Sequence, residues 1–205
     1  RPSIAAHARA VLAALDRHGQ TGIEVIGMLR GATVDLAAAL RAPARIAQLT
    51  LVGLPMPDAS ARRGFVRHGL PDIQPEWHGG HLLHAWHMLR DRRFYRPWYD
   101  RSRAGVLRAT PRVDPEDIQS ELLDLLRSRG MWRRTALAAL AHPVAAQLKR
   151  LVALRIPARL AASPADPHGP DTLRAARAFP SLPFVALPDD PAGWAMALSP
   201  PELLA

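Results

Sequence analysis

Ile23-Glu24-Val25-Ile26-Gly27-Met28-Leu29-Arg30-Gly31 decides how this chain is read, because it joins an apolar run to the Ala-rich helical stretch Ala32 to Leu40 through a tight corner. Glycines at 27 and 31 are what a sharp strand-to-helix elbow needs, since a side chain on either flank would collide where strand and helix cross. Such an elbow displays its central residue, which here is Leu29, a side chain with no nucleophilic atom. The scaffold of a reactive site is therefore legible, while its chemistry is not.

Working outward, Ser3 is an N-cap, and Ile4, Ala8, Val11, Leu12 and Leu15 recur at helical spacing until Gly19 supplies a stop. Thr21 to Gly27 reads as a short strand, the helix after the elbow ends near Arg41-Ala42-Pro43, and Ile46 to Leu54 reads as a second strand. Helix, strand, helix and strand with tight connections predict a parallel sheet under covering helices. Neither strand alternates cleanly with polar residues, as expected of strands buried on both faces.

After Pro55-Met56-Pro57 the character changes. Asp58 to Pro75 has no sustained period and reads as a loop or a short surface helix. A helix is expected from Gly80, followed by the aromatic run Phe94 to Tyr99. Asp114-Pro115-Glu116-Asp117 is a strong helix start, and Ile118, Leu122, Leu125 and Leu126 give that helix one apolar face. Further helices are expected over Arg133 to Ala141 and Val144 to Leu151. Alternation then returns, with a strand at Ala158 to Ala162, a loop from Ser163 to Pro170, a helix from Asp171 to Phe179 and a strand at Phe184 to Leu187. The expected organisation is thus an α/β core over 1–57, a helical cap over 58–150 and the rest of the core over 151–205.

Composition narrows the function classes. The formal charge is +9, yet Lys149 is the only lysine and the arginines are spread along the chain, which argues against a nucleic-acid face. No apolar run approaches the ~18 residues of a membrane span, and no basic-then-apolar start marks a signal peptide. Cysteine is absent, so a thiol nucleophile, a thiolate metal site and disulfides are excluded; the cytoplasm is the expected compartment, although the same absence fits the periplasm. The opening Arg1-Pro2-Ser3 runs straight into a helix and reads as a start inside a domain. A parallel sheet short of strands exposes an apolar edge, so either a missing N-terminal segment or a homo-oligomer is expected to cover it.

The order of elements, the Gly27 to Gly31 elbow and the strand ending Leu51-Val52-Gly53-Leu54-Pro55 are similar to the latter two thirds of an α/β-hydrolase. The resemblance covers nearly the whole chain. It is nearest to a bacterial group with Gly-His-His-Thr-Gly-Ala at the elbow, which carries a cap motif like His78-Gly79-Gly80-His81-Leu82-Leu83, Trp86-His87-Met88, Arg90-Asp91 and Pro97-Trp98-Tyr99-Asp100. It implies a partial α/β-hydrolase fold, a mainly parallel sheet with flanking helices and a helical cap insertion, and an ancestral hydrolysis of small ester-like substrates. Carried onto this chain, the nucleophile falls on Leu29, the acid on Asp166 and the histidine near Gly193. The Arg30 amide stands at an oxyanion-donor position, and the second donor belongs to a loop before residue 1. Only the carboxylate of the triad is kept, and Asp166 has an alternative role in capping the segment after it. The expected protein is a diverged or truncated member, a pseudoenzyme with nucleophile and base positions lost, or else a non-catalytic module that binds an apolar small molecule or a protein partner through the cap pocket.

Other side chains were weighed for rescue. His78, His81, His84 and His87 recur every three residues, but no third metal ligand is evident; packing, or a hydrogen bond to a carboxylate such as Asp91, is the simpler reading. His81, Trp86, His87 and Trp98 are the candidate binding residues of the cap, with the tryptophans alternatively anchoring its core. Ser163 and Thr33 are hydroxyls without a candidate base and read as structural. No cofactor and no metal are expected.

Overall fold

The structure, a computed structural model, describes residues 3–107 and 113–199; the opening Arg1-Pro2 and the end of the chain, 200–205, lie outside the described residues. In chain order the elements are α1 (Ile4–Arg17), β1 (Ile23–Met28), α2 (Arg30–Arg41), β2 (Ile46–Val52), α3 (Ala59–Gly64), α4 (Gly80–Asp91), α5 (Pro115–Arg127), α6 (Met131–Leu140), α7 (Val144–Ala153), β3 (Ala158–Ala162), α8 (Gly169–Ala178), β4 (Phe184–Ala186) and α9 (Trp194–Leu198). They fall into two compact units, Arg1–Pro57 with Ala138–Ala205, and Asp58–Leu137.

The first unit is built on a parallel sheet in the order β1-β2-β3-β4. Met28 pairs with Val52, Val52 with Ala161 and Ala162 with Ala186, so all four strands end along one carboxyl edge. Leu36 of α2, Leu49 and Leu51 of β2, Leu148 and Leu151 of α7, Leu160 of β3 and Ala175 of α8 form its largest apolar cluster. Val52, Ala161, Leu187 and Leu198 form a separate one. At α1, Ser3 Oγ accepts the Ala6 amide at 3.1 Å, and Ile4 and Ala8 pack with Ala37 and Ala38 of α2. The sequence expectation of two buried faces holds for β2, in which Leu49, Leu51 and Val52 are buried, and fails for β1. β1 lies at the edge of the described sheet, its Ile23 and Val25 lean on the core, and Ile26 and Met28 remain 48% and 47% exposed. Clean alternation was missing from the β1 sequence because two of its three outward positions, Ile26 and Met28, are themselves apolar while only Glu24 is polar.

The second unit is helical. Asp58 caps α3 through the Ala61 amide at 2.8 Å, and a π-helical turn, Phe65–Gly69, follows at once, so of the two readings, loop or short surface helix, the helix holds for this part of the segment. Asp114 caps α5 with Pro115 in its first turn, as expected. Met88 and Leu89 of α4 and Ile118 of α5 make the centre of the packing, with Trp86, Trp98 and Trp132 around them. Asp91 is buried, and both of its oxygens are taken by arginines, Oδ1 by Arg90 at 2.7 Å and Oδ2 by Arg101 at 2.6 Å. This carboxylate therefore pairs with guanidinium groups and not with the α4 histidines that the sequence offered as its partners. A buried carboxylate without such partners would cost several kcal/mol, on the order of 3–5.

Candidate active site

The carboxyl edge of a parallel sheet is where ligands bind in open α/β folds. Three residues continue the ladder one step beyond the strands: the Leu29 amide donates to Val52 O at 2.8 Å, Gly53 to Ala161 O at 2.9 Å and Leu187 to Ala162 O at 2.9 Å. The elbow, the Gly53 turn and the loops after β3 and β4 are thus brought to one edge.

Leu29 has φ 53° and ψ −121°. A residue with a side chain holds such a conformation at a cost of about 1–3 kcal/mol, so it persists only where the surroundings impose it. Here they do. The chain must turn from β1 into α2 between Val52 O, which fixes the Leu29 amide, and the Ala32 amide, which donates to Leu29 O at 3.1 Å. At Gly27 a Cβ would lie 2.7 Å from Ala32 Cα, so the close crossing of strand and helix requires glycine. Gly31 meets nothing within 4 Å, which corrects the expectation that both flanks need glycine for lack of space. Arg30 opens α2, so its amide lies in the first turn, whose N–H groups carry the positive end of the helix dipole. The Leu29 side chain is 40% exposed and brings only apolar surface to this point.

Two polar groups of α2 stand close behind the elbow. Thr33 is buried and its Oγ1 has no protein partner among the described residues. Asp35 reaches Gly27, its Oδ2 lying 2.7 Å from where a Cβ would stand there, and burial pushes its carboxyl up to about 6.

On the loop after β3, Asp166 is buried and presses against Gly53, whose φ of 59° and lack of a side chain both serve this contact. Asp166 Oδ1 accepts the His168 amide at 2.7 Å, so the carboxylate does cap the segment that follows it. Ser163, just past β3, is buried, and its carbonyl accepts the Asp166 amide at 3.1 Å. Sequence reasoning passed over what comes next. His168 Nδ1 stands 3.5 Å from Asp171 Oδ2, which also accepts the Met56 amide at 3.1 Å, while Arg174 reaches both Asp171 Oδ1 and Met56 O. Burial pushes the Asp171 carboxyl up, but hydrogen bonds from His168 and Met56 and the Arg174 charge outweigh it and hold the group below its ordinary value. The signal was present as His-Gly-Pro-Asp, a helix start that places histidine and aspartate three residues apart.

At position 193, where the sequence resemblance expected a histidine, the turn leaves little room for a side chain. Gly193 ends a short 3-10 turn capped by Asp190, and a Cβ there would lie 2.7 Å from Pro188 Cγ. Trp194 Nε1 donates to Pro188 O at 2.8 Å and holds the turn in this shape.

In the helical unit, Trp86 and Trp98 share one apolar cluster, and Trp98 Nε1 donates to Gly69 O at 3.1 Å. His81 Nδ1 accepts the Glu76 amide at 3.1 Å, ordering the turn before α4. His87 lies partly exposed on the same helix. Among the described residues no group of three or more His, Asp or Glu side chains is placed to hold a metal ion. No helix among them is long and apolar enough to cross a membrane.

The parallel sheet and its flanking helices are those of the α/β-hydrolase fold, and solved structures superpose on it. A hydrolase from Pseudomonas aeruginosa superposes with a TM-score of 0.61 at 18% identity, over 96% of this chain and 70% of the other. A probable hydrolytic enzyme from the same organism gives 0.53 at 20% identity, over 99% and 67%. Epoxide hydrolase A from Mycobacterium thermoresistibile gives 0.53 at 19% identity, over 98% and 72%. No protein-family model matches the sequence, and no curated protein does.

Proposed function

We propose that this chain is a diverged α/β-hydrolase in which covalent triad catalysis has been lost while the frame for it persists. The observation that carries the reading is Leu29, held at φ 53° and ψ −121° in the display position of the elbow with no nucleophilic atom to display. The tight Gly193 turn and the use of Asp166 in capping support it from the other two positions. Acyl transfer through an enzyme intermediate needs a nucleophile, a base within reach of it and an orienting group. The ancestral chemistry is hydrolysis of small ester-like substrates, in keeping with the hydrolases that share the fold. Incubation with a fluorophosphonate followed by intact-protein mass spectrometry tests the loss: the expected spectrum is that of unmodified protein, and a stoichiometric adduct on any residue would overturn it.

A second reading, binding of an apolar small molecule without turnover, is favoured by Trp86 and Trp98 lying in one cluster while both stay partly open. Saturable quenching of tryptophan fluorescence by an apolar dye, weakened at least ~10-fold in Trp98→Phe, is expected on this reading; quenching unchanged by that substitution would count against it.

A further inference from the structure

His168 is fixed at more points than a helix cap requires. Its amide donates to Asp166 Oδ1 at 2.7 Å, and its carbonyl accepts from the Thr172 amide at 2.8 Å and from Thr172 Oγ1 at 2.9 Å. Its Nδ1 faces Asp171 Oδ2 at 3.5 Å, and Asp171 is pinned in turn by the Met56 amide and by Arg174. The imidazole is 33% exposed, against 17% for its carboxylate, and among the described residues Nε2 has no protein partner. A neutral imidazole that turns Nδ1–H toward a carboxylate keeps its lone pair on Nε2, which is the form of a general base.

The geometry points to His168, oriented by Asp171, as a general base at the carboxyl edge of the sheet that activates water for the hydrolysis of small activated carboxylic esters. Nε2 takes a proton from water as the water oxygen bonds to the carbonyl carbon. The tetrahedral adduct then expels the alkoxide or phenolate, and the imidazolium proton passes to that leaving group or to solvent. No acyl-enzyme forms, and no oxidant, reductant or metal is consumed. The charged groups around the imidazole are Asp166, Asp171 and Arg174; the stretch after β2 contributes the Met56 backbone. This rests on the reading that covalent catalysis is lost, because only then does proton abstraction from water carry the reaction.

The test is steady-state and pre-steady-state hydrolysis of p-nitrophenyl acetate by the 205-residue chain between pH 5 and 8, with thermal midpoints measured for every variant. The expected rate depends on pH and falls about 10-fold or more in His168→Gln. Asp171→Asn retains the imidazole but removes the carboxylate that orients it, so part of the rate is lost and the pH profile of what remains differs from the parent's. A rate equal to buffer, a flat pH profile, or a His168→Gln rate within about twofold of the parent with folding intact would overturn the dyad. An initial burst accompanied by a phosphonate adduct would instead overturn the reading on which the dyad rests.

Discussion

At the end of β1 the backbone has kept a conformation and the side chain has no chemistry; at the end of β3 the side chains have kept chemistry and the backbone is an ordinary capped loop. Leu29 holds φ 53° without a nucleophile, whereas Asp166 holds the His168 amide and Asp171 faces its imidazole across the start of α8. The difference teaches which parts of a reactive site belong to the fold. The elbow is imposed by the crossing of β1 and α2 at Gly27, so its backbone does not depend on which side chain it displays. Position 193, the proposed place of the base, lies at no such crossing. Its residue is glycine, and the turn has closed around it onto Pro188.

If the elbow is imposed by packing, the largest effect belongs to Gly27. Gly27→Val, with a side chain driven into the backbone of Ala32, is expected to lose about 3 kcal/mol in urea denaturation, while Gly31→Ala changes stability by less than about 1 kcal/mol because nothing stands near it. A cost at Gly31 equal to that at Gly27 would break the distinction drawn here between the two flanks.

The contact that joins the acid loop to β2 comes next. Gly53→Ala is expected to cost about 2 kcal/mol, partly through its positive φ and partly through the clash with Asp166. Combining it with Asp166→Ala isolates the second part, with an expected coupling of about 1 kcal/mol. Strict additivity would mean that Gly53 answers to its backbone alone.

A third effect sharpens the comparison through pH. The Asp35 carboxyl, raised from 3.8 to about 6 by burial, favours protonation in the folded state. Folding is unpenalised below the unfolded value and becomes less favourable as pH rises from about 4 to 6, by on the order of 1–2 kcal/mol once solvent screening of this partly exposed group is allowed for. Asp35→Asn should therefore match the parent near pH 4 and exceed it at pH 7, the gain being read from urea midpoints at both values. Asp171 has the opposite sign: its depressed carboxyl contributes stability above the unfolded value and loses it as pH falls through the folded one. The smallest effect is Leu29→Gly, which removes the strain of a side chain at positive φ and is expected to gain about 1 kcal/mol.

Periodicity and caps made the elements legible: Ser3, Asp114 with Pro115, and the Ala-rich α2 each announce a helix by mechanisms confined to a few neighbouring residues. The edge position of β1 was not legible, since Ile26 and Met28 are as apolar as core residues and only the order of strands leaves them exposed. Asp166 could be found by its place after β3, but its hydrogen bond to His168 and its contact with Gly53, 113 positions away by residue number, depend on the fold. The pairing of Asp91 with Arg101 was hidden for a related reason. Helical spacing advertised the histidines of its own helix, while the guanidinium that completes the pair comes from the segment beyond the aromatic run.

The central claim, that the elbow survives as backbone without covalent chemistry, is tested most directly by intact-protein mass spectrometry of the parent and of Leu29→Ser after exposure to a fluorophosphonate. Neither is expected to gain mass, because position 193, proposed as the place of the triad histidine, holds glycine. An adduct on the parent would reveal a nucleophile that this account does not contain. One confined to Leu29→Ser would show that the rest of the triad's chemistry is intact, and that a single side chain separates this protein from covalent catalysis.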